Sequence, residues 1–290
     1  MKLTILGSGT SHGIPVLGCD CPVCHSEDIL DKRMRASLYI EGDGGERALI
    51  DTGPEFRLQA IRAGIKRLDG IFLTHAHADH VHGLDDVRPL SREIPLPVYG
   101  NRETIEEMRE RFSYIFKETQ QGGGKPRIIP RVVSKPVALG GLILTPIPVK
   151  HGMLDILGWK IEEKTADTGT AAAKKTPGVE AVPGAAVYLT DTSEIPAASR
   201  EIIGKPAVLI IGALRTRPAE THFSFEQALN AAVEIGAAEV YLTHICHDYL
   251  HGEIVEYCRN FMEERGLKAA NGMGGGVTMT PAYDCLEITL

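Results

Sequence analysis

Thr74-His75-Ala76-His77-Ala78-Asp79-His80-Val81-His82 follows directly on the apolar run Gly70 to Leu73. The run is short and bulky, as a buried strand is, and it stops where the histidines begin. An H-x-H pair at the end of such a strand sends two imidazoles to the same side of the turn, while Asp79 and His80, adjacent at a helix start, can aim elsewhere. Two sets of metal donors result. Neutral imidazole suits Zn, Fe or Mn and a carboxylate suits harder ions; a site with few protein ligands keeps positions for water, which is the mark of a catalytic centre.

Further donors stand alone in the chain, each closing a strand-like run. Asp51 follows Ala48-Leu49-Ile50, His151 follows Ile147-Pro148-Val149-Lys150, Asp191 follows Val187-Tyr188-Leu189-Thr190, and His244 follows Val240-Tyr241-Leu242-Thr243. All would gather along one sheet edge, where open α/β sheets place their binding crevices. Taken singly, Asp51 or Asp191 reads as a turn residue; beside the histidine cluster they are not independent.

The rest of the chain alternates in the same way, without an internal repeat, and predicts one layered α/β unit over 1–290. Strands are expected at Lys2 to Leu6, Ser37 to Ile40, Ala48 to Ile50, Gly70 to Leu73, Leu142 to Pro148, Ala186 to Leu189, Ala207 to Ile211, Glu239 to Leu242 and Leu286 to Leu290. Helices are expected at Phe56 to Ala63, Arg102 to Phe116, Ser224 to Ile235 and His251 to Glu264. Ser224-x-x-Gln227 is a capping box and places the third helix best. Lys117 to Lys125, with three consecutive glycines, and the Ala/Thr/Gly/Pro-rich stretch within 163–184 read as surface insertions, the second as a loose hairpin or flap.

A chain of 290 residues, 43% hydrophobic and 24% charged, is neither disordered nor fibrous. No apolar run reaches membrane-spanning length and the first apolar stretch is too short for a signal-peptide core, so a cytoplasmic protein without a membrane partner is expected. Thirty-eight acidic against thirty-one basic residues leave a net charge of −7. That field repels polyanions, which favours a small substrate over nucleic acid. The oligomeric state stays open between monomer and homodimer.

Six cysteines in such a chain are expected to be free thiols. Three of them, Cys19, Cys21 and Cys24, lie within six residues at spacings that can wrap one tetrahedral zinc, which needs a fourth ligand from elsewhere. His247, in Thr243-His244-Ile245-Cys246-His247, is the first candidate; His25 and Cys246 are rivals. The segment 18–25 is accordingly expected to form a zinc knuckle.

The pattern H-x-H-x-D-H at His75 to His80, with later single residues at His151, Asp191 and His244, resembles the metallo-β-lactamase superfamily across nearly the whole chain. The resemblance implies a four-layer αββα sandwich with two divalent ions (Zn, Mn or Fe) at the sheet edge. His75, His77 and His151 would hold one ion, Asp79, His80 and His244 the other, and Asp191 would bridge them. Asp51 would orient a ligand imidazole. Within the superfamily, the C-x-C-x-x-C segment with T-H-I-x-H resembles the PhnP-type phosphodiesterases, which carry a structural zinc as well and open five-membered cyclic phosphates of ribose derivatives. The likeness covers Gly83-Leu84 and Tyr283-Asp284-x-Leu286-Glu287-Ile288, although Cys285 stands where glycine is expected. The insertion within 163–184 departs from the family pattern.

His222, in Thr221-His222-Phe223-Ser224, matches the histidine that phosphodiesterase and tRNA-processing branches place near the scissile phosphate, where it can assist the leaving oxygen. His12 and Arg88 are candidate substrate contacts, Arg88 alternatively an ion-pair partner of Asp85 or Asp86. His82 and His251 read as surface residues. The expected activity is hydrolysis of a small, cyclic ribose phosphodiester by a hydroxide held between the two ions. Two rivals remain: a tRNA 3′-end endonuclease, for which Lys174 and Lys175 are the only basic pair in the insertion, and a non-catalytic cofactor-maturation protein of the pyrroloquinoline quinone type.

Overall fold

Side-chain alternation decides which face of each strand is buried, and here both faces are. In Ser37–Glu41, Leu38 and Ile40 point one way and Tyr39 the other; in Arg47–Ile50, Ala48 and Ile50 oppose Leu49; in Pro206–Gly212, Val208 and Ile210 oppose Leu209 and Ile211. A strand apolar on both sides must lie between two layers.

The computed structural model describes residues 1–117, 124–164, 182–270 and 276–290. Its strands are β1 (Lys2–Gly7), β2 (Ser37–Glu41), β3 (Arg47–Ile50), β4 (Gly70–Phe72), β5 (Leu96–Gly100), β6 (Ile128–Val132), β7 (Val137–Leu139), β8 (Leu142–His151), β9 (Leu154–Glu163), β10 (Val182–Leu189), β11 (Pro206–Gly212), β12 (Glu239–Thr243), β13 (Thr278–Pro281) and β14 (Glu287–Thr289). They form two seven-stranded sheets, in the orders β14-β1-β2-β3-β4-β5-β6 and β13-β12-β11-β10-β9-β8-β7. The central core lies between the sheets and includes Leu3, Ile40, Phe72, Trp159, Tyr188 and Ile210. Helices Phe56–Arg62 and Arg102–Arg111 cover the outer face of the first sheet; Ala197–Ile203, Phe225–Ile235 and His251–Glu264 cover the second. The result is the αββα sandwich. None of the described helices is long and apolar enough to cross a membrane.

Strands β3 to β6 run parallel, as do β10 to β13, and β8 runs parallel to β10 because β9 opposes both. The carboxyl ends of β3, β4, β8, β10 and β12 therefore carry the isolated donors to the sheet edges. At the rim the two sheets are joined directly, Leu157 N–H donating to the Thr74 carbonyl at 3.0 Å.

The expected strands are found, with β8 extended to His151 and the last confined to Glu287–Thr289. Strands β5, β6, β7, β9 and β13 were not anticipated. Pro97 and Pro130 disguise β5 and β6; Pro130 is tolerated because β6 is an edge strand. The stretch expected as one helix, Arg102 to Phe116, breaks at Phe112 (φ −103°, ψ 36°) into Arg102–Arg111 and Ser113–Phe116. The boundaries of the 163–184 insertion move inward, since Glu163 ends β9 and Val182 opens β10; the remainder with Lys174 and Lys175, and most of the Lys117 to Lys125 stretch, lie outside the described residues. His251 is buried rather than on the surface, edge-on to Tyr283, because its helix packs against the second sheet. Cys285 has φ +71°, the left-handed conformation that glycine adopts without strain.

Candidate metal centre

Asp51, Asp191 and His244 each leave their strand with positive φ (61°, 51° and 55°), a strained conformation for residues with a Cβ. Asp51 and His244 occupy the first position after their strands and Asp191 the second, so the left-handed kink follows the end of the ladder where the donor side chain stands. The Asp51 and histidine loops then lock together: Thr52 N–H donates to the His80 carbonyl at 2.7 Å and Gly83 N–H to the Thr52 carbonyl at 2.8 Å. A Cβ on Gly83 would stand 2.1 Å from the Gly53 carbonyl oxygen, so only glycine permits this approach.

The loops bring the donors into two adjoining groups, His75 with His77 and His151, and Asp79 with His80, Asp191 and His244. In the first, ring centroids are 4.5 to 5.3 Å apart. His151 Nδ1 lies 2.7 Å from the Thr221 carbonyl, to which it donates, and this leaves the Nε2 lone pair free. In the second, Asp51 accepts from His80 Nδ1 at 2.7 Å, and from the Thr74 N–H and hydroxyl at 2.8 Å each. With its proton held at Nδ1, His80 turns the Nε2 lone pair toward Asp79 Oδ2 and Asp191 Oδ2, both at 3.1 Å. His244 Nε2 stands 3.2 Å from Asp191 Oδ1 and 3.6 Å from Asp79 Oδ2.

This is a confrontation of acceptors. His75 Nε2, His80 Nε2 and His244 Nε2 are buried without a hydrogen-bond partner, an arrangement that a cation relieves. Burial opposes charging His80, but the carboxylates of Asp191, Asp79 and Asp51 outweigh it and shift the ring well above the ordinary histidine range, a field that favours positive charge at this place. Burial likewise disfavours the Asp191 carboxylate, and the positive charges of His244 and His80 overcome it and pull its carboxyl well below the usual range. The residues fit a pair of divalent ions.

A third group forms where Cys19, Cys21 and Cys24 meet His247, Nδ1 lying 3.4, 3.4 and 3.5 Å from the three sulfurs. Ligands at tetrahedral angles around zinc, with usual bond lengths, stand about 3.5 Å apart, so this group fits zinc too. The Cys24 N–H donates to Cys21 Sγ and the Val16 N–H to Cys24 Sγ. Burial resists ionisation of Cys21, yet that N–H, His247 and the neighbouring thiols bring it down to about 6; burial pushes Cys24 up to about 11. His25 is exposed and pairs with Asp20, and Cys246 is buried outside the group.

The beta-lactamase superfamily domain matches residues 46–245. A solved diphosphatase of the PhnP family is 34% identical, with a TM-score of 0.78 over 100% of this chain and 97% of that one. The chain belongs to the metallo-β-lactamase superfamily. Zn(2+)-bound PqqB from Methylobacterium extorquens shares the fold at TM-score 0.70 and 17% identity, over 100% of both chains. An octanoyltransferase of Porphyromonas gingivalis is 38% identical over 259 residues, 88% of this chain but 48% of that protein, so this chain spans about half of its length. Fold, family and donor set of this metallo-β-lactamase chain agree, the donors standing at the sheet edge where a divalent metal would be held.

His222 lies at the mouth of the centre, Nε2 3.0 Å from Asp191 Oδ1, its ring stacked on His244 at 5.0 Å. A cleft of about 620 Å³ runs from His222 to His247 and is lined by His12. It also brings in Arg215 and Arg217, which sequence reading did not select; their position after β11, at the same sheet edge, was the available signal. Arg88 is not brought to this cleft. Its guanidinium donates to the Gly124 carbonyl at 2.9 Å and lines a separate cavity with Arg92, Lys125 and Arg127. The alternative ion pair is not formed, Asp85 instead accepting from the Tyr114 hydroxyl at 2.5 Å.

Asp51 touches the centre only through His80 and Thr74. Asp51→Asn cannot accept from all three donors, so the His80 ring loses its orientation; metal affinity is expected to fall roughly 10–100-fold, read by equilibrium titration with a chromophoric chelator.

Proposed function

We propose that this chain hydrolyses a small phosphodiester, of the cyclic ribose phosphate class, with His75, His77 and His151 holding one divalent ion, Asp79, His80 and His244 a second, and Asp191 shared between them. When bound, such ions supply charge neutralisation at the phosphoryl oxygens and a more acidic water. The observation that carries the reading is His222, an imidazole at the mouth of the centre, oriented by Asp191 Oδ1 at 3.0 Å and by the Thr221 hydroxyl at 2.8 Å. Its Nε2 proton can pass to the departing alkoxide or hold a phosphoryl oxygen. The eleven-residue helix Phe225–Ile235, capped by Ser224, begins three residues after His222, so its positive end lies close to that ring in the chain. The 34% identity to a PhnP-family diphosphatase over the full chain supports phosphoryl chemistry.

One observation favours a second reading, hydrolysis of an acyl ester or thioester: the octanoyltransferase relative, together with exposed Met153 and Leu154 next to His151. A single panel separates the two. Zn- and Mn-loaded protein is assayed with a 2′,3′-cyclic nucleotide, a ribose 1,2-cyclic phosphate, a lactone, an octanoyl thioester and a pre-tRNA, with metal content measured on the same preparation. Cyclic phosphates should be opened and the others left intact; turnover of lactone or thioester with inert diesters would overturn the proposal.

A further inference from the structure

Arg215 lines the cleft between His222 and His247, and its backbone is pinned from both sides. Leu214 N–H donates to the Phe223 carbonyl and Phe225 N–H to the Arg215 carbonyl, both at 2.9 Å, while Cys246 N–H donates to the Leu214 carbonyl at 3.1 Å. The segments that carry His222 and His244 therefore hold the arginine between them. Its charge is left unspent. Nε is buried with no hydrogen-bond partner, and the guanidinium forms no ion pair among the described residues, whereas Arg217, two residues on, pairs with Asp248 at 3.0 Å. A guanidinium offers five donors in a planar fork, matched by an oxyanion such as a carboxylate or phosphate. Mounted rigidly beside a hydrolytic centre, that fork is a recognition element.

We infer that Arg215 determines specificity by binding a second anionic group, carboxylate or phosphate monoester, on the substrate arm that lies along the cleft. The inference rests on the phosphodiesterase reading above. Glu220, exposed on the same wall and without an ion pair among the described residues, opposes that anion and sets how strongly it is held.

The test uses p-nitrophenyl phosphodiesters whose second arm is methyl, 2-carboxyethyl or 2-phosphoethyl, with the metal-loaded protein. Wild type should prefer a charged arm over methyl by about 10-fold or more in kcat/KM, mainly through KM, and the two charged arms tell carboxylate from phosphate. Arg215→Ala should bring the ratio close to one, Arg215→Lys should recover part of it, and Glu220→Gln should enlarge it. Calorimetric binding of the matching methylphosphonate analogues should show the same order without turnover. Inertness toward all three diesters and toward the cyclic phosphates of the panel above would defeat the phosphodiesterase reading, and inertness toward the three with the cyclic phosphates opened would defeat the arm-binding role. Turnover with equal kcat/KM for charged and methyl arms in wild type, or a preference that survives Arg215→Ala, would defeat the role of Arg215 alone.

Discussion

Replacing His222 by alanine should lower kcat toward a phosphodiester roughly 10²–10⁴-fold while the metal content of the protein stays the same, the usual range for a positioned proton donor. The ring makes its two hydrogen bonds to Asp191 and to the adjacent Thr221, and stacks on His244 and, at 75°, against His151. Its removal leaves the Asp191 carboxylate with His80 and His244 still against it, so the donor cage survives. The measurement is turnover of bis-p-nitrophenyl phosphate alongside metal analysis. Because His222 also stands within reach of His151 and Asp191 as a further donor group, a drop in metal content would make it a ligand instead. Undiminished turnover would remove it from the reaction altogether.

Changing Cys21 to serine should remove one zinc per chain and destabilise the fold, without disturbing the donors around Asp191. Structural zinc contributes about 10–16 kcal/mol in isolated zinc-finger peptides, so even if only a quarter of that is lost with the ion the cost is on the order of 3 kcal/mol. For a chain of this size that corresponds to a Tm lowered by about 6 °C or more, read by calorimetry with zinc counted in parallel. The active centre is shielded because Arg33 holds the same loop independently, donating to the Cys246 carbonyl at 2.9 Å and the Tyr249 carbonyl at 3.2 Å, on either side of His247. An unchanged zinc count would show that the three thiols and His247 hold no ion.

Much of this architecture is legible residue by residue. Ala48-Leu49-Ile50 and Val187-Tyr188-Leu189 are apolar on both faces, and Asp51 and Asp191 end those runs with donors that water or metal must satisfy. Two positions depart from what their local sequence suggests. His251 looks like a polar helix start, yet its helix lies against β13 and Tyr283 covers the ring. Arg88 looks well placed after Gly83-Leu84, yet it turns to Gly124, a partner 36 residues away. Arg215 is marked only by its position after β11, since its isolation depends on Asp248 having paired with Arg217.

Periodicity, strand-terminating turns and the donor chemistry of histidine, cysteine and aspartate act over a few residues, and they alone suffice for nine of the fourteen described strands, the edge at which those end and the inventory of candidate donors. Which donor faces which is a different matter. His80 meets Asp51 across 29 positions, His222 meets Asp191 across 31, and Cys21 meets His247 across 226. Those pairings arise when two sheets close on a shared core and bring their carboxyl edges together, because burial rewards the closure regardless of how far apart along the chain the joined residues lie.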